Sequence, residues 1–223
     1  MNNSIKLTLA AVALAAATSA QAYNDGDLYV GFSGGPGGTD FIYDLGQASS
    51  LQVGVSSWNL SGMVPNLNAN TVFGVIGFGF NAGQTDAFAF LTEATKNSQD
   101  FGGAGVGNAQ SDVQTIAQQL QPGQSRTTSG TDQQGWTYNT HNGAPPASSF
   151  QTDFMDPNVV VGNRAYFFAA AEIAGGTTLN NAFYFNPATG ILTFQAVPEP
   201  ATYGAVAGLG VLALALRRQF AKA

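Results

Sequence analysis

The chain has 223 residues, no cysteine and a formal net charge of −6. The absence of cysteine excludes disulfides and thiolate metal sites. The acidic balance argues against nucleic acid as a partner. Only 9% of the residues are charged, so uncharged side chains supply most of the polar surface.

The first 22 residues have the layout of a secretory signal peptide. A positively charged start at residues 1–6 leads into an apolar run at residues 7–17, and a small-x-small cleavage site follows at Ala20 and Ala22. The run is too short for a first transmembrane helix. We therefore expect signal peptidase to cut after Ala22, so that the exported chain begins at Tyr23.

Residues 23–197 form the expected body of the protein. They number about 175, which suffices for one domain with its own core. Three basic and twelve acidic residues leave this body with a formal net charge of −9. Such a surface repels nucleic acid and anionic lipid.

Short segments with alternating apolar side chains, separated by turns, predict that most of the body is β-structure. Two pairs of segments predict hairpins, one across the glycine-rich residues 34–38 and one across the turn at residues 186–190. Residues 71–80 are apolar on both faces, which is typical of a strand buried on both sides. The predicted strands are residues 28–32, 41–45, 51–58, 71–80, 87–91, 136–138, 165–173, 183–185 and 191–197.

One segment, residues 111–121, predicts an amphipathic helix. Ser111 and Gln114 have the spacing of a capping box, and Pro122 marks the end. The glycine-rich residues 101–108 before it are expected to be a loop. The apolar side chains on one face of the helix are Val113, Ile116, Ala117 and Leu120.

About eight strands and one short helix predict an all-β fold, an antiparallel β-sandwich of jelly-roll type. An outer-membrane barrel is the rival architecture. Most of the predicted strands are shorter than the 9–11 residues that such a barrel needs. We therefore favour the sandwich, with a signal peptide before it and a separate segment after it.

The last segment, residues 198–223, has three parts in order. Pro198, Glu199 and Pro200 interrupt regular structure. Residues 201–216 carry no charge and predict an apolar transmembrane helix of roughly 24 Å, somewhat short of a hydrocarbon core of about 30 Å. Arg217 and Arg218 open a basic tail, residues 217–223, that tends to stay cytoplasmic.

This order resembles the PEP-CTERM sorting signal. The resemblance implies recognition by exosortase, a membrane-embedded transpeptidase-like enzyme of Gram-negative bacteria. It implies that the protein is exported, held transiently in the inner membrane by the apolar helix, and processed near the motif. The product would lie at the cell surface or in the extracellular matrix, associated with exopolysaccharide or biofilm. An ordinary membrane anchor and a buried Ala/Gly helix are the alternatives.

Few residues have the types and spacing of catalytic or metal-binding groups, so we expect no enzyme activity, no cofactor and no metal site. His141 has no second histidine to complete a zinc site, and no Gly-x-Ser-x-Gly elbow places a serine nucleophile. Asp25-Gly26-Asp27 is similar to a fragment of a calcium loop but lacks the EF-hand spacing, and its calcium binding is left open. The remaining candidates are carboxylate pairs of a type that glycosidases use, Asp40 with Asp44 and Asp153 with Asp156.

Aromatic residues allow a second function, a carbohydrate-binding module displayed by the same export route. Trp58, Trp136 and Tyr138 lie in polar surroundings where their rings are candidates for stacking on sugars. The opposing interpretation is that they fill the core.

Overall fold

The computed structural model describes residues 25–34, 38–80, 87–95, 104–118, 120, 122–140, 157–171 and 175–197. The described chain is mostly antiparallel β-structure with few helices, which confirms the predicted class. The helices are α1 (Ala104–Ala117) and α2 (Trp136–Thr140). The strands are β1 (Asp27–Ser33), β2 (Thr39–Gln47), β3 (Ser57–Asn59), β4 (Val72–Phe80), β5 (Ala87–Glu93), β6 (Ser125–Ser129), β7 (Val159–Val160), β8 (Arg164–Ala171), β9 (Gly175–Asn186) and β10 (Ile191–Ala196).

Both predicted hairpins are present. Strand β1 pairs antiparallel with β2, and β9 pairs with β10 across the tight turn that ends at Gly190. Seven of the nine residues of β4 are buried, as expected for a strand covered on both faces. In β10 the alternating apolar residues Leu192 and Phe194 are buried, so period-2 alternation marks the core face of this strand.

All ten strands described belong to one hydrogen-bonded sheet. Its order is β3-β10-β9-β8-β5-β4-β1-β2-β6, and β7 pairs with β4 beside the end of β5. The two separate sheets of a sandwich or jelly roll are not confirmed. An alternating pattern requires that something cover the apolar face, but it does not reveal whether that cover is a second sheet or a bend of the same sheet.

The sheet supplies its own cover by curling. Strands β1 and β9 lie four positions apart, which in a flat sheet would separate them by about 19 Å. Yet the ring centroids of Phe32 on β1 and Phe185 on β9 are 4.7 Å apart, in an edge-to-face contact. Phe73 on β4 completes this cluster at 5.8 Å from Phe32. The concave face of the sheet therefore encloses the larger aromatic core.

The convex face carries a second core beneath the helices. Helix α1 lies on β4 and β5. The apolar side chains predicted for its inner face are all buried, although Leu120 lies three residues beyond the end of the helix at Ala117. Phe78 and Leu91 of the sheet belong to the same cluster. No helix among the residues described is long and apolar enough to cross a membrane. The predicted signal peptide, and the helix predicted at residues 201–216, lie outside the described residues.

Three local predictions are wrong. Residues 51–55 form turns rather than a strand, because Gly54 adopts a φ of +76° and Ser56 N donates back to Gln52 O at 2.8 Å. The strand there is limited to β3. Helix α1 begins at Ala104, inside the segment expected to be a loop, so Ser111 is a mid-helix residue and not a cap.

The predicted strand at residues 136–138 is instead helix α2, and Trp136 at its start is fully buried. The indole lies on a floor made by two glycines of neighbouring strands, Gly31 of β1 and Gly74 of β4, which are paired in register. A Cβ atom added to Gly31 would lie 1.8 Å from the ring. Glycine is required here because only a bare backbone leaves room for the indole.

Candidate functional site

A groove of about 460 Å³ lies beside the turn between β7 and β8. Backbone hydrogen bonds hold this turn against β9 and the residue before β4: Val161 N donates to Thr71 O at 3.0 Å, and Gly162 N donates to Phe185 O at 3.2 Å. Gly162 has a φ of +84°, which favours glycine in the turn. The groove, called the Arg164 groove below, is lined by Val72, Ala94, Asn158, Val159, Val160, Asn163, Arg164 and Tyr166.

One wall of the groove is fixed from inside the core. Asn158 Oδ1 accepts a hydrogen bond from Trp136 Nε1 at 2.7 Å, and Asn158 Nδ2 donates to Thr140 Oγ1 at 3.2 Å. The interpretation of Trp136 as a sugar contact is therefore corrected, because no part of this side chain is exposed. Its indole instead orients an amide that lines the groove.

Arg164 and Tyr166 supply the charge and the aromatic surface of the groove lining. Arg164 is exposed at the start of β8, and Tyr166 follows it on the same face, half-buried. Tyr184 of β9 is the cross-strand partner of Arg164 and extends this face away from the groove. The groove thus combines a cation, a phenol ring and amides, the groups that bind an oxygen-rich ligand.

The other arginine that the structure describes has a structural role. Arg126 donates to the carbonyl oxygens of Ile116 at 2.7 Å and Gln118 at 2.9 Å, and also to that of Gln134. These bonds satisfy carbonyls at the C-terminal end of α1 and place a positive charge there, where a helix favours it. Burial lowers the pKa of Arg126, and the nearby charge of Asp132 opposes this effect.

The carboxylate pair at Asp40 and Asp44 is buried in β2. Asp40 accepts hydrogen bonds from Thr137 N at 2.7 Å and Thr137 Oγ1 at 2.6 Å, so it fixes the start of α2. Asp44 accepts from Gly46 N at 2.7 Å. Burial raises the pKa of Asp44 to about 6; the hydrogen bond from Gly46 opposes this shift, and the charge of Asp27 adds to it. These contacts are those of structural carboxyl groups.

The segment similar to a calcium loop also makes internal contacts. Asp25 Oδ1 accepts from Phe80 N at 3.0 Å, and Asp27 Oδ1 accepts from Gln47 Nε2. Across the described ranges, no three acidic, histidine or cysteine side chains come close enough to hold a metal ion. His141 and the Asp153–Asp156 pair lie outside the described residues.

The two remaining aromatic candidates are half-buried. Trp58 on β3 packs in a tilted contact on Phe183, with ring centroids 6.1 Å apart. Tyr138 lies in α2. Neither residue lines the Arg164 groove. The aromatic residue that does line it is Tyr166, which was not among the candidates predicted from the sequence.

Glu93 of β5 is a buried acid next to this region. It pairs in register with Tyr166, is only 4% exposed, and its Oε1 atom has no hydrogen-bond partner among the described residues. Burial raises the pKa of Glu93 to about 7. The folded protein therefore favours the neutral carboxylic acid.

A change in stability with pH follows from this shift. Because the folded state binds the proton more tightly than the unfolded state, the contribution of Glu93 should fall as the pH rises from about 4.5 to 7, by about 2–3 kcal/mol. Glu93→Gln removes the ionisation. The unfolding free energy of Glu93→Gln minus that of the wild-type protein should therefore rise by this amount between pH 4.5 and pH 8. Urea denaturation of both proteins at each pH measures it. A constant difference between the two proteins across this pH range would contradict the assignment.

Comparison with known proteins identifies the end of the chain. A family model described as the PEP-CTERM protein-sorting motif matches residues 196–219. No curated protein and no solved structure matches the chain significantly. The motif implies exosortase-dependent sorting of an exported protein to the cell envelope or surface. The chain is thus a PEP-CTERM sorting domain-containing protein.

Proposed function

We propose that this chain is a non-enzymatic matrix or surface protein that is exported, processed by exosortase and associated with exopolysaccharide or biofilm of a Gram-negative bacterium. The observation that carries the proposal is the sorting motif at residues 196–219, which begins at the last residue of β10. The signal-peptide pattern at residues 1–22 supports export. The hydrogen bonds from Thr137 to Asp40 support a structural rather than a catalytic role for the Asp40–Asp44 pair.

The sorting signal is tested by replacing Pro198, Glu199 and Pro200 together with alanine. The two prolines should keep this segment extended and accessible to the processing enzyme, and the alanines would remove that constraint. Export should continue, but full-length protein should accumulate in the inner membrane, as measured by fractionation and immunoblotting. A matched replacement of Ser49, Ser50 and Gln52 by alanine in the body should leave processing unchanged. A normal mature size and location for the Pro198–Pro200 variant would refute the proposed processing.

The second candidate function is carbohydrate binding, and the Arg164 groove favours it. A sugar ring has an apolar face for Tyr166 and hydroxyl groups for the amides of Asn158 and Asn163. The face next to the groove continues over Tyr184 and Thr193, which are also paired in register. A polymer longer than one sugar unit would find further contacts there. A glycan array probed with the exported protein tests this function.

A further inference from the structure

The charge of the Arg164 groove points to the class of its ligand. Among the described residues, seven are acidic and only Arg126 and Arg164 are basic. The guanidinium of Arg126 is bound to three carbonyl oxygens, whereas Arg164 is exposed and forms no ion pair with any described residue. The groove therefore presents an available positive charge on a strongly acidic body.

The groove holds Arg164 and its neighbour Asn158 in fixed positions. Arg164 follows a turn whose backbone is bonded to Thr71 and Phe185, so its Cα position is fixed. Asn158 is held by the buried indole of Trp136. A site with pre-positioned groups loses less conformational entropy when a ligand binds. A guanidinium also matches the two oxygens of a carboxylate with two parallel hydrogen bonds.

We propose that the Arg164 groove binds an acidic polysaccharide through its uronic acid units, with the sugar carboxylate on Arg164, the sugar face on Tyr166 and hydroxyl groups on Asn163. This inference rests on the proposed carbohydrate-binding function and names its substrate class. Charge complementarity selects the acidic polymer, because a neutral sugar would leave the arginine without a counter-charge. The acidic body repels the rest of a polyanion, so the affinity has to come from the contacts that one uronic acid unit makes in the groove.

The experiment measures retardation of the exported protein in native gels that contain polygalacturonate or, for comparison, neutral dextran. Polygalacturonate should retard the wild-type protein. Arg164→Gln should raise the apparent dissociation constant for polygalacturonate about tenfold, since it removes a charge-assisted hydrogen bond. Arg164→Lys should have an intermediate effect because it keeps the charge but loses the planar fork.

Gln52→Glu is the matched control. It changes the net charge by the same amount as Arg164→Gln, at an exposed residue that does not line the groove, and it should bind like the wild-type protein. Tyr166→Phe should also bind normally, whereas Tyr166→Ala should not. Equal binding by Arg164→Gln and the wild-type protein, or equal retardation by dextran, would overturn the acidic-ligand inference alone. Retardation by neither polymer would overturn it together with the carbohydrate-binding function, and would leave the sorting proposal to its own test.

Discussion

Gly31→Ala should destabilise the protein by about 3 kcal/mol, the upper end of the usual cost of overpacking and a large fraction of the stability of a typical domain. The added Cβ would lie 1.8 Å from one atom of the Trp136 ring and 1.9 Å from another. The ring is fully buried and bonded to Asn158, so it cannot move aside without losing its packing and this hydrogen bond. Chemical denaturation, followed by tryptophan fluorescence, measures the loss.

Gly34→Ala is the control for this substitution. A Cβ at Gly34 meets no atom within 4 Å, and the residue is exposed three positions along the same chain segment. The change should alter the unfolding free energy by no more than about 0.5 kcal/mol. If Gly31→Ala unfolded at the same denaturant concentration as Gly34→Ala, the indole could not lie on the glycine floor.

Phe78→Ala should cost about 3–5 kcal/mol. Phe78 is 1% exposed and belongs to the core that β4 and β5 form with α1. Truncation would leave a cavity under the helix, and the sheet cannot collapse into it because β4 is bonded on both sides. Urea denaturation of the exported protein measures the change.

Phe80→Ala provides the comparison two residues further along β4. The Phe80 ring packs edge-to-face on Phe78 at 5.3 Å but is 38% exposed, so its removal should cost only about 1 kcal/mol. Equal costs at the two positions would mean that the strand does not present Phe78 to the core and Phe80 to the margin.

The strands were predictable from sequence where burial repeats with period two. Strand β10 shows this alternation, since Leu192 and Phe194 are buried and their neighbours are not. Strand β4 was predictable for a different reason, because it is apolar and buried on both faces. The pattern was misleading at Val53 and Val55, which alternate but are 45% and 70% exposed in a turn. Two apolar residues around a glycine do not define a strand when the glycine has a positive φ.

The start of α1 and the shape of the sheet could not be predicted in the same way. Glycine normally weakens a helix, so the glycines before Ser111 favoured a loop, yet the helix begins at Ala104. Burial of Val106 and Ala109 against the sheet outweighs that propensity. The curl of the sheet depends on contacts such as Phe32–Phe185, which join residues more than 150 positions apart.

The candidate groove was missed for a related reason. Val161-Gly162-Asn163-Arg164 reads as an ordinary turn before a strand, and only the fold brings Asn158 and Tyr166 to its sides. Arg164 did offer a signal, because it is one of only three basic residues in residues 23–197. The sorting motif, in contrast, is a pattern of neighbouring residues, so it can be recognised in the sequence without knowledge of the fold.

The position of the last strand has a consequence for the timing of folding. Strand β10 pairs with β3 as well as β9, so Asn59 can pair with Ile191 only after about 130 further residues have been added to the chain. Until then β3 has no neighbour in the sheet and the edge of β9 is open. The family match begins at residue 196, where β10 ends. The sheet is therefore complete at the residue where the sorting motif starts, because Ala196 belongs to both.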